Sequence, residues 1–123
     1  MANLVNGVDL IEISRIKEAV ERHGDRFLRR IFTRKELSLV KGKTESLAAR
    51  FAAKEAVAKA LSSGIGDVSW LEIEVLSGPN RQPELHLHGN AARLAEEQGL
   101  ERWAISLSHT KDFAMAMVTA LGK

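Results

Sequence analysis

Alternation with a period of two marks both ends of this chain, and a helical period marks its middle. In residues 103–110, Ile105, Leu107 and His109 fall on one side and Ser106, Ser108 and Thr110 on the other, as a half-buried strand requires. A second apolar run, 113–121, follows Lys111-Asp112, so 103–121 predicts a hairpin with His109 at its mouth. Near the start, Leu4-Val5-Asn6-Gly7-Val8-Asp9-Leu10-Ile11 is an apolar run broken by one acid. It predicts a strand over 4–9. Aspartate is disfavoured in strands and costly to bury alone, so Asp9 with Glu12 also fits a helix N-cap of the capping-box kind.

The stripe Ile13, Ile16 and Val20 predicts a helix over 12–23, ended by Gly24. A short basic helix follows over 25–31, and Thr33 with Glu36 opens another by the capping-box pattern. Residues 44–61 hold strong helix formers and no Gly or Pro. Past a loop at 62–68, strands are predicted at 70–76 and 84–88, then a helix over 90–98 closed by Gly99. Helices and hairpins in separate blocks argue for an α+β fold, a mostly antiparallel sheet packed on the long Ala-rich helix. Residues 1–123 read as one domain.

The alanine-rich helix is the most informative element. On a helical wheel Ala49, Ala53, Ala56 and Ala60 share one side, while Leu47, Phe51, Ala58 and Leu61 spread over another. Glu55 and Lys59 lie beside Ala48 and Ala52. Alanine lets neighbouring backbone come close and leaves room around the longer side chains. A carboxylate one turn before an ammonium then suits a metal ion and an anion side by side. The same pair also reads as an ordinary i,i+4 salt bridge on a solvated face.

Composition narrows the class. The chain has 123 residues, 45% of them apolar, and no cysteine. That excludes a disulfide framework, a zinc–thiolate site and a thiol nucleophile. No apolar run approaches a membrane span, and no leader pattern is present, so a cytoplasmic protein is expected. Residues 14–35 carry eight Lys or Arg against three acids, a local charge of +5, while the whole chain carries +2. Such a patch invites an anionic partner.

Three segments, in order, point further: Gly7-Val8-Asp9-Leu10-Ile11-Glu12-Ile13-Ser14-Arg15-Ile16, Arg50-Phe51-Ala52-Ala53-Lys54-Glu55-Ala56-Val57-Ala58-Lys59-Ala60, and Ile105-Ser106-Leu107-Ser108-His109-Thr110. Together they resemble the phosphopantetheinyl transferases, most closely the short holo-acyl-carrier-protein synthase type. Phe32-Thr33 with Glu36 and Gly64-Ile65-Gly66 also look like that type. One departure is visible: the family often has Gly-Thr-Gly after the helix, where this chain has Ser62-Ser63-Gly64.

The resemblance implies transfer of the 4′-phosphopantetheine arm of coenzyme A to a serine of apo acyl carrier protein, releasing adenosine 3′,5′-bisphosphate. It implies a homotrimer with active sites between adjacent subunits. Asp9 and Glu55 match the family's two metal-binding acids, with Mg²⁺ the expected ion, a hard cation held by few carboxylates. Lys59 and His109 would face the phosphates of coenzyme A as catalytic donors, with Glu55 or a water taking the serine proton. Arg50, Gly64, Pro83 and Thr110 join Lys59 and His109 as expected coenzyme A contacts. For Gly64 a simple left-handed helix end, and for Pro83 a simple turn, account for the residues equally. Arg15, Arg22 and Arg26 are the expected carrier-protein surface. No nucleic-acid or membrane partner is expected. Two other classes stay open: a basic nucleic-acid-binding module, poorly served with only Phe27 and Phe32 near the patch, and a non-catalytic oligomeric scaffold.

Overall fold

The computed structural model describes residues 3–63 and 65–122. The elements run β1 (Leu4–Glu12), α1 (Ile13–His23), α2 (Asp25–Ile31), α3 (Arg34–Val40), α4 (Thr44–Ala60), β2 (Ile73–Ser77), β3 (Pro83–Leu87), α5 (Gly89–Glu97), β4 (Leu100–His109) and β5 (Phe113–Gly122). One antiparallel sheet has the order β1-β5-β4, with β5 central; β2 and β3 pair as a separate antiparallel hairpin. Helices and antiparallel strands sit in separate blocks, an α+β architecture. Among the described residues no helix is long and apolar enough to cross a membrane.

The register explains what the period-two pattern at each end is for. Gly7, Asp9 and Ile11 pair with Val118, Ala116 and Ala114, which pair in turn with Ile105, Leu107 and His109. Directly paired residues share a face, and this face packs against α4. Its β5 members, Ala114, Ala116, Val118 and Ala120, are fully buried. Small residues on both partners let α4 lie close to the sheet. At Gly7 the approach is closest: an added Cβ would strike the Ala56 carbonyl oxygen and stand 3.2 Å from the Ala60 amide nitrogen. Helix α4 buries nearly its whole circumference, from Leu47 to Ala60, as expected of a helix apolar all round.

The opposite face of the sheet is apolar and uncovered. Leu4, Val8, Leu10, Phe113, Met115, Met117 and Leu121 are between 38% and 70% exposed.

Two local expectations fail for instructive reasons. Strand β1 continues past Asp9 to Glu12, because pairing with β5 persists through Glu12 opposite Phe113. Asp9 therefore caps nothing. Glu12 takes the N-cap place of α1, and no side-chain bond caps it. The strand expected at 70–76 opens instead with a 3-10 turn, Trp70–Glu72, where the Glu72 carboxylate accepts from the Ser69 amide at 2.9 Å. The box at Thr33 and Glu36 does form.

Candidate active site

Helix α4 and strand β1 bring two acids to one place. Asp9 points from β1 toward α4, where Lys59 Nζ donates to its Oδ1 at 3.1 Å and to the Val8 carbonyl at 3.1 Å. Glu55 lies one turn earlier on α4. Asp9, Glu55 and Arg15 line one groove of about 400 Å³, with Ile16, Phe27 and Phe51 among its apolar walls. The i,i+4 salt bridge expected between Glu55 and Lys59 is replaced: Lys59 spends its ion pair on Asp9. Nearness in space outweighs nearness in sequence here, because β1 runs directly beneath the helix.

The electrostatics of this group are unbalanced. Burial pushes the Glu55 carboxyl above its ordinary range, the Asp9 charge pushes it further, and Lys59 only partly opposes them. Two carboxylates share one ammonium, in a groove open to solvent. A hard divalent cation would relieve that repulsion, and two carboxylates are the donor set from which Mg²⁺ is commonly held, with water and phosphate filling the rest. Among the described residues there is no group of three or more His, Cys, Asp or Glu that could hold a metal ion.

The other expected site residues are distributed more widely. His109 ends β4 on the α4-facing side, exposed, across β5 from Ile11 and two strands from Asp9. Thr110 turns the hairpin: its amide donates to the Phe113 carbonyl at 2.8 Å, and its Oγ1 accepts from the Phe113 amide at 3.1 Å. Pro83 begins β3 and lines a separate groove with Trp103 and Ile105. Arg50 is buried, its Nε donating to the Val75 carbonyl at 3.1 Å. Gly64 lies outside the described residues. Arg22 and Arg26 are exposed. Arg26 shares a shallow groove with His23, Phe27 and Arg30, and since Phe27 also walls the Asp9 groove, the basic strip runs into the acidic site.

Sequence reasoning missed Lys54. Neither it nor Glu36 is exposed at all, and Lys54 Nζ donates to Glu36 Oε1 at 2.8 Å, the Trp70 carbonyl at 3.0 Å and the Ile73 carbonyl at 2.5 Å. Burial pulls the Lys54 ammonium below its ordinary range, and Glu36 works against that pull. A signal existed: Arg50, Lys54 and Ala58 fall at i, i+4 and i+8, one stripe of a helix with almost no exposed side.

Comparison with known proteins decides the family. The pattern of the 4′-phosphopantetheinyl transferase superfamily matches residues 6–118. The chain belongs to the 4′-phosphopantetheinyl transferase superfamily. A holo-acyl-carrier-protein synthase of Herpetosiphon aurantiacus is 50% identical over 97% of this chain and 99% of its own length. One from Dehalococcoides mccartyi is 53% identical over 95% of this chain and 98% of its own. Among solved structures, the Helicobacter pylori holo-acyl-carrier-protein synthase in complex with coenzyme A superposes with a TM-score of 0.86 at 34% identity, covering 94% of this chain and 98% of that one. This transferase is thus of the holo-acyl-carrier-protein synthase type.

Proposed function

We propose that the chain is a cytoplasmic Mg²⁺-dependent enzyme that moves 4′-phosphopantetheine from coenzyme A to a serine hydroxyl of apo acyl carrier protein, releasing adenosine 3′,5′-bisphosphate. The observation that carries this is the meeting of Asp9 and Glu55 in one groove, short of one positive charge and bordered by a basic strip. Breaking a diphosphate spreads negative charge over phosphoryl oxygens, so positioning and charge neutralisation dominate catalysis. Asp9 and Glu55 would hold the ion, which supplies Lewis acidity and a template for the diphosphate. Lys59, already at the site, offers its ammonium to a ligand phosphate. Glu55, with its carboxyl pushed up, is this chain's own candidate to accept the serine proton. Arg15, beside the acids, together with Arg22 and Arg26, presents cations to an acidic carrier.

His109, Thr110 and Pro83 serve the same coenzyme A from an adjacent subunit in this reading. Two observations support it. Those residues stand away from Asp9 within one chain, and the sheet's outer face carries a contiguous apolar patch of the kind that marks an interface. We therefore read the enzyme as a homotrimer with sites between subunits. Arg50 contributes only through guanidinium donors beyond those β2 takes, its Nε at the Val75 carbonyl and its Nη2 at Ser77 Oγ.

Intact-mass measurement of apo carrier protein with coenzyme A and Mg²⁺ tests the reaction directly. A mass gain of one phosphopantetheine is expected, falling on the order of a thousandfold in Asp9→Ala or Glu55→Ala. Native rates in both variants would end the metal assignment. Light scattering tests the assembly. Met117→Glu places a charge in the outer patch and should yield particles of one chain, 13.5 kDa, that no longer transfer; a monomeric native enzyme would end the trimer.

A further inference from the structure

The alanine coat that lets α4 lie close to its neighbours also leaves it weakly located. Ala48, Ala49, Ala52, Ala53, Ala56 and Ala60 are all buried, and short side chains make shallow ridges that fix a spacing better than a rotation or a register. Something else must define where α4 stops turning. On its side facing α3 and β2, the helix carries two buried polar pegs: Arg50, which bonds the Val75 carbonyl and Ser77 Oγ of β2, and one turn nearer Glu55, Lys54, whose donors are saturated. The three donors of Lys54 meet Glu36 Oε1, the Trp70 carbonyl and the Ile73 carbonyl, with the Phe32 ring 5.7 Å away. The Glu36 carboxylate is itself fixed by the Thr33 amide at 2.9 Å and the Val75 amide at 2.8 Å. Thr33 Oγ1 donates onward to Glu74 Oε2 at 2.6 Å, and Glu74 meets His88 at 3.1 Å.

Stability does not account for this pair. Replacing a buried ion pair by apolar groups of similar size is often neutral or stabilising, because desolvation cancels the attraction. What an ion pair has and an apolar pair lacks is direction. Glu55 is the next residue, 100° further round the helix, so whatever fixes Lys54 fixes Glu55.

We propose that Lys54 is a positioning residue, anchored through Glu36 and the carbonyls of Trp70 and Ile73, that sets the rotation of α4 and hence the placement of Glu55 against Asp9. This rests on the metal reading of that acid pair. A displacement near 1 Å at such a site costs on the order of a hundredfold.

The test compares Glu36→Gln/Lys54→Met, which removes both charges together, with Val57→Ala, which loosens the packing of the same buried helix without touching the peg. The double variant should bind Mn²⁺ at least about tenfold more weakly and lose kcat at least about tenfold, with the KM for coenzyme A changing less. Val57→Ala, though it melts lower, should keep the native Mn²⁺ affinity. Amide NMR spectra read the helix without metal: the amides of Val8 and Asp9, residues that meet α4 through Lys59 and are remote in sequence from every substituted residue, should shift in the double variant and hold in Val57→Ala. If those amides stay in place, or if Val57→Ala moves them equally, Lys54 is merely structural and the proposal falls. Native Mn²⁺ binding that survives Asp9→Ala would overturn the metal reading alone, and the amide shifts would still decide the positioning claim. Should the double variant not fold, Lys54→Arg keeps the buried charge paired with Glu36 while changing where its donors point, and carries the same comparison.

Discussion

Helix α4 carries two acid–lysine groupings of similar composition and opposite character. Lys54 with Glu36 is fully buried, charge-balanced and saturated, every donor of the ammonium finding an acceptor. Lys59 with Asp9 and Glu55 is open, its ion-paired side chains 55% and 18% exposed, and two acids divide one cation. Residue types alone do not separate a structural pair from a reactive one. The separation lies in what is left over. The first group has nothing left to bind a ligand with, whereas the second keeps a net negative charge and a groove to admit a counter-ion.

Removing each lysine breaks that comparison most forcefully. Lys54→Met strands the Glu36 carboxylate in the core, and an uncompensated buried charge costs about 3–5 kcal/mol. Lys59→Met removes a partly exposed pair worth at most about 1 kcal/mol, so the fold should hold while transfer falls sharply. Thermal melts alongside the mass assay would display the two opposite patterns. Equal stability losses would show that burial does not distinguish the groups.

Much of the frame was legible in the sequence because its signals are local. The capping box at Thr33 and Glu36 sits within four residues, and the run of 44–61 without Gly or Pro ends one residue from the observed helix. The terminal hairpin alternates strictly enough to fix which face His109 shares. What failed was settled by partners remote in the chain. Asp9 and Glu12 matched a cap by spacing, but the ladder with β5 holds Asp9 within the strand opposite Ala116 and carries pairing on to Glu12 at the helix junction. Glu55 and Lys59 matched a helix pair, but β1 offered Lys59 a carboxylate fifty residues earlier. Lys54 was missed for the same reason: its stripe can be read within α4, but its acceptors lie on α3 and around the start of β2, and no periodicity within α4 names them.

The imbalance at the open group has a signature in pH. Glu55 holds its proton to higher pH in the folded chain than in the unfolded one, where its ordinary value is 4.5. A raised carboxyl contributes stability below that unfolded value, and the contribution is lost as pH rises through the folded one. Glu55→Gln cannot suffer that loss. In metal-free buffer the variant should therefore melt above the native protein at neutral pH, with the gap closing below 4.5. Added Mg²⁺ should reverse the order, since it binds the native pair and not the variant. A variant that melts lower than native at neutral pH without metal would mean that burial and the Asp9 charge do not together raise the Glu55 carboxyl.

The smallest effect lies at the end of α4 and separates backbone cost from site chemistry. Ser62 adopts φ 56, a left-handed conformation, with its amide donating to the Lys59 carbonyl at 2.9 Å and the Ser63 amide to the Ala58 carbonyl at 3.0 Å. Those bonds close the last turn, the one that carries Lys59. A side chain with Cβ is disfavoured in that conformation, and glycine is not. Ser62→Gly should thus relieve the strain, offset in part by the greater freedom glycine has in the unfolded chain, for a net gain of about 0.5 kcal/mol. Transfer kinetics should not change, because neither the acids nor Lys59 moves. A chemical-denaturation series with unchanged slope would read the gain as a shifted midpoint. If Ser62→Gly instead weakens transfer, the serine side chain belongs to the open group, and the boundary drawn here between frame and site must move by one turn.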